Sequence, residues 1–176
     1  METFTQLKPL VDNPLYHQQR AKSLSEFDIN IIDAPIVEIV KTLTGLPYCF
    51  TLQSCCGHFV HDKQKDRLNI EPLPASDNVS TVEYRIAYIA LCIQNSGDGR
   101  SLMQSLKEIT SIDPEYVQFG CAEWFWKRQV DSYALQVGPE RHKTRDSITV
   151  GFEEALHIEK VRNTVLEKLK NILKSP

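Results

Sequence analysis

The spacing of apolar residues alternates along this chain between the period of a helix and that of a strand, and this alternation restricts the fold most. A helix is predicted from Asp33, a good N-cap, to the stop signals Gly45 and Pro47. Its apolar residues recur at helical spacing: Ile36, Ile39, Val40 and Leu43. The next segment, YCFTLQS, is rich in aromatic and β-favouring residues and therefore predicts a strand.

A second helix and strand repeat this order further along the chain. Helical spacing returns at residues 102–109, a strand pair is predicted around EWFWKR, and a long amphipathic helix ends the sequence. Helix, strand and a Gly/Cys turn thus occur at 34–58 and again at 100–121. We predict an α/β (mixed α+β) fold over residues 1–176, a single globular domain with one mixed β-sheet flanked by helices and two pseudo-equivalent halves. The segment 84–93 is apolar almost throughout, and its periodicity does not distinguish a buried strand from a buried helix.

Composition and charge disfavour several classes of protein. The chain has no apolar run long enough to cross a bilayer and no recognisable signal peptide, so we expect no membrane association. Five cysteines without a secretion signal indicate a reducing compartment, and we expect a cytoplasmic protein. The net charge of -3 gives no overall attraction to nucleic acid. The basic cluster RHKTR at residues 141–145 is either a solvated loop or a local anion site.

In the stretch CFTLQSCCGHFVH, residues 49–61, the last two of three cysteines and two histidines lie close together after the predicted strand. Four interpretations are open: a metal site, a redox pair, a structural turn, or a ligand-binding or catalytic loop. Cys55 and Cys56 are adjacent, so on a strand they point in opposite directions, and they do not have the C-x-x-C redox spacing. No second Cys/His pair completes a zinc site, and we expect no bound metal. Gly57 lets the chain turn and leaves nearby backbone amides available to a ligand.

Two other stretches contain candidate site residues. IQNSGDGRS, at residues 93–101, leads into a helix N-terminus that would favour an anion, but it matches no nucleotide-binding motif and a plain loop is the alternative. EWFWKR has three consecutive aromatic residues, which cannot all face one core on a strand. Trp124 and Trp126 are therefore candidates for a ligand platform or for a contact in a homodimer. Glu123 beside them is a candidate general acid or base, or one half of a salt bridge.

The order of these elements resembles the family of methyltransferases that act in the third step of wybutosine synthesis in tRNA. Members of that family carry a Ser-Cys-Ser-Gly-Arg signature after a strand, where this chain has SCCGH at residues 54–58. They also carry a later Ser-Gly turn, where this chain has NSG at 95–97. The resemblance extends over residues 33–110. Cys56 replaces a serine and His58 replaces the arginine, which removes a bidentate guanidinium partner for a carboxylate or phosphate.

The resemblance implies a methyltransferase that acts on RNA, such as tRNA, or on a small molecule, with S-adenosylmethionine bound between the two loops. Five residues would contact this cofactor: Ser54, Gly57, Asn95, Ser96 and Gly97. The candidate catalytic residues are Cys55, His58 and Glu123. This interpretation requires the turns at 54–58 and 95–99 to lie at the same edge of the sheet.

Two alternatives belong to other functional classes. The first is a non-catalytic protein that binds a small ligand or a partner through Trp124 and Trp126. The second is a zinc-dependent enzyme that uses Cys55, His58 and His61. The segment VQFGCAEWFWKRQVDSYALQVGP is also similar to a bacterial family of uncharacterised proteins, which implies no particular activity.

Overall fold

The computed structural model describes residues 4–64, 66–67, 70–75 and 78–174. Its helices are α1 (Tyr16–Ser25), α2 (Val37–Gly45), α3 (Gly97–Ile109), α4 (Glu123–Arg128) and α5 (Phe152–Lys174). Its strands are β1 (Phe4–Thr5), β2 (Cys49–Cys55), β3 (His58–Val60), β4 (Thr81–Arg85), β5 (Ala87–Ile93), β6 (Val117–Ala122), β7 (Ser132–Val137) and β8 (Ser147–Gly151).

The strands form two sheets. Five strands are hydrogen-bonded in the order β1-β6-β7-β5-β2, and three in the order β3-β4-β8. The predicted fold class, a mixed α+β fold with helices flanking β-sheet, is confirmed. Within the part of the chain that the structure describes, all strand pairs are antiparallel and belong to two sheets, whereas one mixed sheet was predicted.

Two helix–strand units occupy matching places in the five-stranded sheet. α2 leads into β2, which pairs with β5, and α3 leads into β6, which pairs with β7. Because β5 and β7 pair with each other at the centre, a two-fold rotation perpendicular to the sheet would exchange the two units. This strand order confirms the two pseudo-equivalent halves that were predicted from the repeated pattern. The rotation also requires β5 and β7 to be antiparallel, as they are.

The apolar segment 84–93 forms the end of β4 and the whole of β5. β5 lies inside the five-stranded sheet, and both of its faces are covered. Leu91 and Ile93 belong to the main core, whereas Cys92 packs against Tyr16 of α1. Burial on both faces removes the alternation of apolar and polar residues that marks a strand with one wet face.

The long helix α5 contributes the predicted apolar stripe to the core. Its buried residues include Ile158, Val161, Val165 and Leu169. The two sheets are joined by Tyr84, whose hydroxyl donates to the Val137 carbonyl oxygen (2.8 Å) and accepts from the Ala87 amide (3.0 Å). Among the described helices, none is both long enough and apolar enough to cross a membrane.

Candidate functional site

The CCGH turn (residues 55–58) connects β2 to β3 and is held by a carboxylate from the segment before α2. Oδ2 of Asp33 accepts a hydrogen bond from the Cys56 amide (2.7 Å) and lies 3.4 Å from Nε2 of His58. Asp33 was predicted only as a helix N-cap, but its side chain makes no capping hydrogen bond. The structure therefore adds Asp33 to the candidate site.

The C-terminal helix holds the same turn from the other side. Nη1 of Arg162 on α5 donates to the Gly57 carbonyl oxygen (3.0 Å), and its guanidinium lies 5.0 Å from the centre of the Phe59 ring. Gly57 has a φ of 83°, which is in the left-handed region that favours glycine. The turn is thus fixed by its own backbone conformation and by contacts from two distant segments.

Both cysteines of the turn are protonated thiols near neutral pH. Burial is the main cause that raises the pKa of Cys55, and the negative charge of Asp33 adds to it. Burial, again with Asp33, raises the pKa of Cys56 to about 12. Because the thiolate is the nucleophilic form of cysteine, this environment does not activate Cys55 as a nucleophile.

The two predicted loops lie at opposite ends of the sheet. β2 and β5 are antiparallel, with Cys55 opposite Tyr88 and Cys49 opposite Ile93. The CCGH turn therefore lies beside the start of β5, whereas the NSG turn (residues 95–97) follows its end. The length of β2 separates them, which is about 20 Å at the usual rise of a strand. The prediction that both turns share one edge is wrong, because each turn follows the end of its strand and β2 and β5 run in opposite directions.

The NSG turn has a local structural role at the start of α3. Oγ of Ser96 accepts from the Gly99 amide (3.1 Å) and caps the helix. The Asn95 side chain accepts from Arg100 (2.9 Å). The predicted cofactor residues Asn95, Ser96 and Gly97 are therefore not brought together with Ser54 and Gly57.

A pocket of about 460 Å³ brings three sequence features together, and we call it the basic pocket. Its wall includes Cys55 at the end of β2, the aromatic residues Trp124 and Phe125 of α4, and Lys143 and Arg145 from the RHKTR cluster. Two further charged residues contribute to the wall: Arg85 of β4 and Asp146. Three of the residues that line the pocket are cationic and one is acidic, so the lining carries an excess of positive charge.

The aromatic run forms a short helix rather than a strand end. Trp124 is 41% exposed, and the Arg128 guanidinium lies over its ring at 3.6 Å from the centre. Trp126 instead packs edge-on against Tyr133, with ring centres 5.7 Å apart, at the margin of the core. Only Trp124 of the two therefore lines the basic pocket, together with Phe125.

Glu123 lies in the first turn of the same helix and forms a salt bridge within that helix. Its carboxylate lies 3.1 Å from the Lys127 ammonium. Hydrogen bonding to Lys127 is the largest cause that lowers the pKa of Glu123. A general acid needs a proton near neutral pH, so this environment favours the salt-bridge interpretation of Glu123 over the acid one.

A second cavity, of about 570 Å³, lies between α1 and β2, and we call it the α1 groove. Its wall contains the carboxylates of Glu26 and Asp28, the ammonium of Lys22, and the apolar side chains of Phe27 and Ile31. Ser54, one of the predicted cofactor residues, also lines this groove. Gln53 borders both the α1 groove and the basic pocket, so the end of β2 separates two neighbouring cavities.

Sequence reasoning missed three residues of this region: Asp33, Arg85 and Gln53. Arg85 is the last residue of β4, in which exposed and buried residues alternate, and it lies on the exposed side. Charged residues are common at such positions, so nothing singled it out. Gln53 lies in an irregular part of β2, where the register with β5 shifts between Thr51 and Gln53. No spacing signal in the sequence connects these residues, because they come from separate segments that meet only in the folded chain.

Comparison with known proteins shows the fold but not the function. No protein-family model matches the chain, and no curated protein matches it. The structure is similar to that of the PH1069 protein from Pyrococcus horikoshii, with a TM-score of 0.52 and 12% sequence identity over 91% of this chain and 93% of the other. A structure of the PH1069 protein from Pyrococcus horikoshii OT3 has a TM-score of 0.49 and 12% sequence identity, over 92% of this chain and 93% of the other. A hypothetical protein from Aeropyrum pernix has a TM-score of 0.40 and 10% sequence identity, over 81% of this chain and 95% of the other.

Proposed function

We propose that the basic pocket binds a nucleotide and that the protein is an S-adenosylmethionine-dependent methyltransferase acting on RNA or on a nucleotide-like small molecule. The observation that carries the proposal is the convergence of the CCGH turn, an exposed tryptophan and three cationic side chains on one cavity. The volume of about 460 Å³ falls within the usual range of ligand pockets, about 300–1,000 Å³. The resemblance to the wybutosine methyltransferases supports the reaction class.

The chemistry of the wall suits an anion that carries an aromatic ring. Arg85 and Arg145 present guanidinium groups, which bind phosphate through paired hydrogen bonds. Lys143 adds a third positive charge, although Glu140 lies 2.6 Å from its ammonium and neutralises part of it. Trp124 is partly exposed, and because the Arg128 guanidinium lies over one face of its ring, a base would stack on the other face. A nucleotide combines these two features, a phosphate and a flat base.

S-adenosylmethionine suits the α1 groove better than the basic pocket. The cofactor carries a sulfonium, an ammonium and one carboxylate, so its net charge is positive and the cations of the basic pocket would repel it. In the α1 groove, Glu26 and Asp28 outnumber Lys22, and Phe27 and Ile31 provide an apolar surface for the adenine. These residues therefore fit the cofactor, and Ser54 is the member of the originally predicted set that lines the groove.

The end of β2 supports a division of roles between the two cavities. Ser54 lines the α1 groove, Cys55 lines the basic pocket, and Gln53 lines both. When bound, the cofactor supplies an electrophilic methyl group. The protein would hold the nucleotide through Arg85 and Arg145. The protonated Cys55 thiol would serve as a weak hydrogen-bond donor in the wall rather than as a nucleophile.

Nucleotide binding can be tested by calorimetric titration of AMP and of a short single-stranded RNA into the full chain. We expect Arg145→Gln to raise the dissociation constant about tenfold, because a hydrogen bond to a charged group contributes roughly 1.5–3 kcal/mol. Trp124→Ala should weaken binding by a similar factor, because stacking of one base contributes about 1–3 kcal/mol. Binding should also weaken as salt is raised.

Arg100→Gln is the matched control for this experiment, because Arg100 lies on α3 at the other end of the sheet. It should leave both dissociation constants unchanged. Equal effects of Arg100→Gln and Arg145→Gln would show that binding depends only on overall charge. That result would contradict the assignment of the basic pocket.

Cofactor binding is a separate prediction with its own variants. S-adenosylmethionine should release measurable heat on titration, and Asp28→Asn should weaken its binding severalfold because one carboxylate facing the cationic cofactor is lost. Asn95→Ala should have no effect, since Asn95 does not line the α1 groove and its side chain accepts from Arg100. A loss of binding in Asn95→Ala alone would instead place the cofactor at the NSG turn. No heat at millimolar cofactor, with nucleotide binding intact, would leave a non-catalytic nucleotide-binding protein.

A further inference from the structure

The CCGH turn and the segment before α2 bring three potential metal ligands together: Asp33, Cys55 and His58. We infer that these side chains form a binding site for one divalent transition-metal ion of the zinc class. No bound metal was predicted from the sequence, because that prediction was based only on the spacing of the cysteines and histidines. The third ligand is a carboxylate from a distant part of the sequence, which no Cys/His spacing could reveal.

The distances between the ligand atoms are close to those of a zinc site. One carboxylate oxygen, the thiol sulfur and one imidazole nitrogen all lie within 4.8 Å of one another. Around tetrahedral zinc, bond lengths of about 2.0–2.3 Å place such atoms roughly 3.3–3.6 Å apart. The distance between Asp33 Oδ2 and His58 Nε2 is already 3.4 Å. Small rotations of side chains, without movement of the backbone, would complete the set.

The surrounding structure holds the Asp33 carboxylate and the backbone of Cys55 and His58. Asp33 is held by the Cys56 amide, and Gly57 is held by Arg162 from α5. Cys55 ends β2 and His58 begins β3, so both lie on strands that pair with neighbours. Sites held by hydrogen bonds in this way lose little entropy when an ion binds.

The chemistry of the ligands favours zinc over the alkaline-earth ions. Zinc and cobalt prefer an imidazole and a thiolate, and the Cys55 thiol would release its proton to solvent when the ion binds. Magnesium and calcium prefer oxygen atoms alone. The side chains of His58 and Asp33 are 18% and 23% exposed, so an ion can reach them from solvent. Three protein ligands also leave a fourth position for water or a ligand. Cys55 lines the basic pocket as well, so the ion would border that pocket.

Cys56 and His61 lie outside this group of ligands. Cys56 is buried, and its thiol donates to the Gly57 carbonyl oxygen at 3.6 Å. His61 follows the end of β3 and is not one of the three residues that converge. Both residues therefore provide matched controls of the same residue types as the proposed ligands.

The test is a cobalt titration of the full chain after removal of metals with a chelator. One equivalent of Co²⁺ should produce a near-ultraviolet sulfur-to-cobalt charge-transfer band, and Zn²⁺ should abolish it while Mg²⁺ should not. Cys55→Ser should remove the band. His58→Gln and Asp33→Asn should each weaken Co²⁺ binding at least tenfold. Cys56→Ser and His61→Gln should keep the band, the one-to-one stoichiometry and the affinity.

Several outcomes would overturn the inference. These are the absence of a band in the wild-type chain, a band that survives Cys55→Ser and disappears in Cys56→Ser, and unchanged affinity in His58→Gln. Thermal unfolding of each variant without metal identifies those that fail to fold. If Cys55→Ser is among them, His58→Gln and Asp33→Asn decide the question. The result does not depend on nucleotide or cofactor binding, so it can stand or fall separately from the proposed function.

Discussion

Replacing Gly99 by alanine is expected to lower the free energy of unfolding by about 3 kcal/mol or more. A Cβ atom at this position would lie 1.9 Å from the Gln94 carbonyl oxygen and 3.1 Å from Cγ2 of Ile93. The obstacle is backbone, and the Gln94 carbonyl already accepts from the Ser96 amide (2.8 Å), so it cannot move without disturbing the start of α3. Urea denaturation measures the effect as a lower midpoint at an unchanged slope.

Gly97→Ala is the control for this variant within the same helical turn. A Cβ atom at Gly97 would meet nothing within 4 Å, and alanine has the higher helix propensity, so stability should be unchanged or slightly raised. The comparison also tests the predicted cofactor role of Gly97. If Gly97→Ala kept its stability but lost binding of S-adenosylmethionine, the NSG turn would be a ligand site after all.

The second large effect is expected at Gly57 in the CCGH turn, which also contains the potential metal ligands Cys55 and His58. Gly57→Ala should lower the free energy of unfolding by about 3 kcal/mol, from two causes. The residue has a φ of 83°, which alanine rarely adopts. Its Cβ atom would also lie 2.8 Å from the Cβ atom of Ala87 and 3.0 Å from the Tyr84 ring, both of which are buried.

Gly45→Ala serves as the control for Gly57→Ala. Gly45 lies at the end of α2, and a Cβ atom there would meet nothing within 4 Å. Urea denaturation of both variants should show a large loss for Gly57→Ala and little change for Gly45→Ala. Equal midpoints for the two variants would mean that the CCGH turn accepts a side chain at Gly57 without loss of stability, so that a glycine is not needed there.

The stability predictions and the binding predictions separate structural from functional roles along the same strand. Gly57 sets the course of the backbone, whereas Ser54 and Cys55 face the two cavities. Variants of the cavity walls, such as Arg145→Gln and Trp124→Ala, should therefore change affinity while stability stays within about 0.5 kcal/mol, as is usual for surface positions. Variants of the turn should change stability first.

Much of the candidate site could not be predicted, because it depends on which strands are neighbours. Cys55, Trp124 and the RHKTR cluster were each noticed as separate features, and only the sheet brings them to one pocket. Asp33 was taken for a helix cap, since its position before an apolar helix is typical of one. The NSG turn was assigned to the site from the resemblance, and its distance from the CCGH turn follows only from the antiparallel pairing of β2 and β5.

Local patterns of residues were sufficient to predict several helices and strands. Periodicity predicted α2 and α5, β-favouring residues predicted β2, and the repeated order of helix and strand predicted two related halves, because each of these depends on near neighbours in the chain. The tertiary structure decided that 84–93 is mostly a strand covered on both faces, and that strand pairing is antiparallel. Antiparallel pairing places the ends of β2 and β5 at opposite ends of the sheet, and this direction depends on contacts between distant segments that no local pattern encodes.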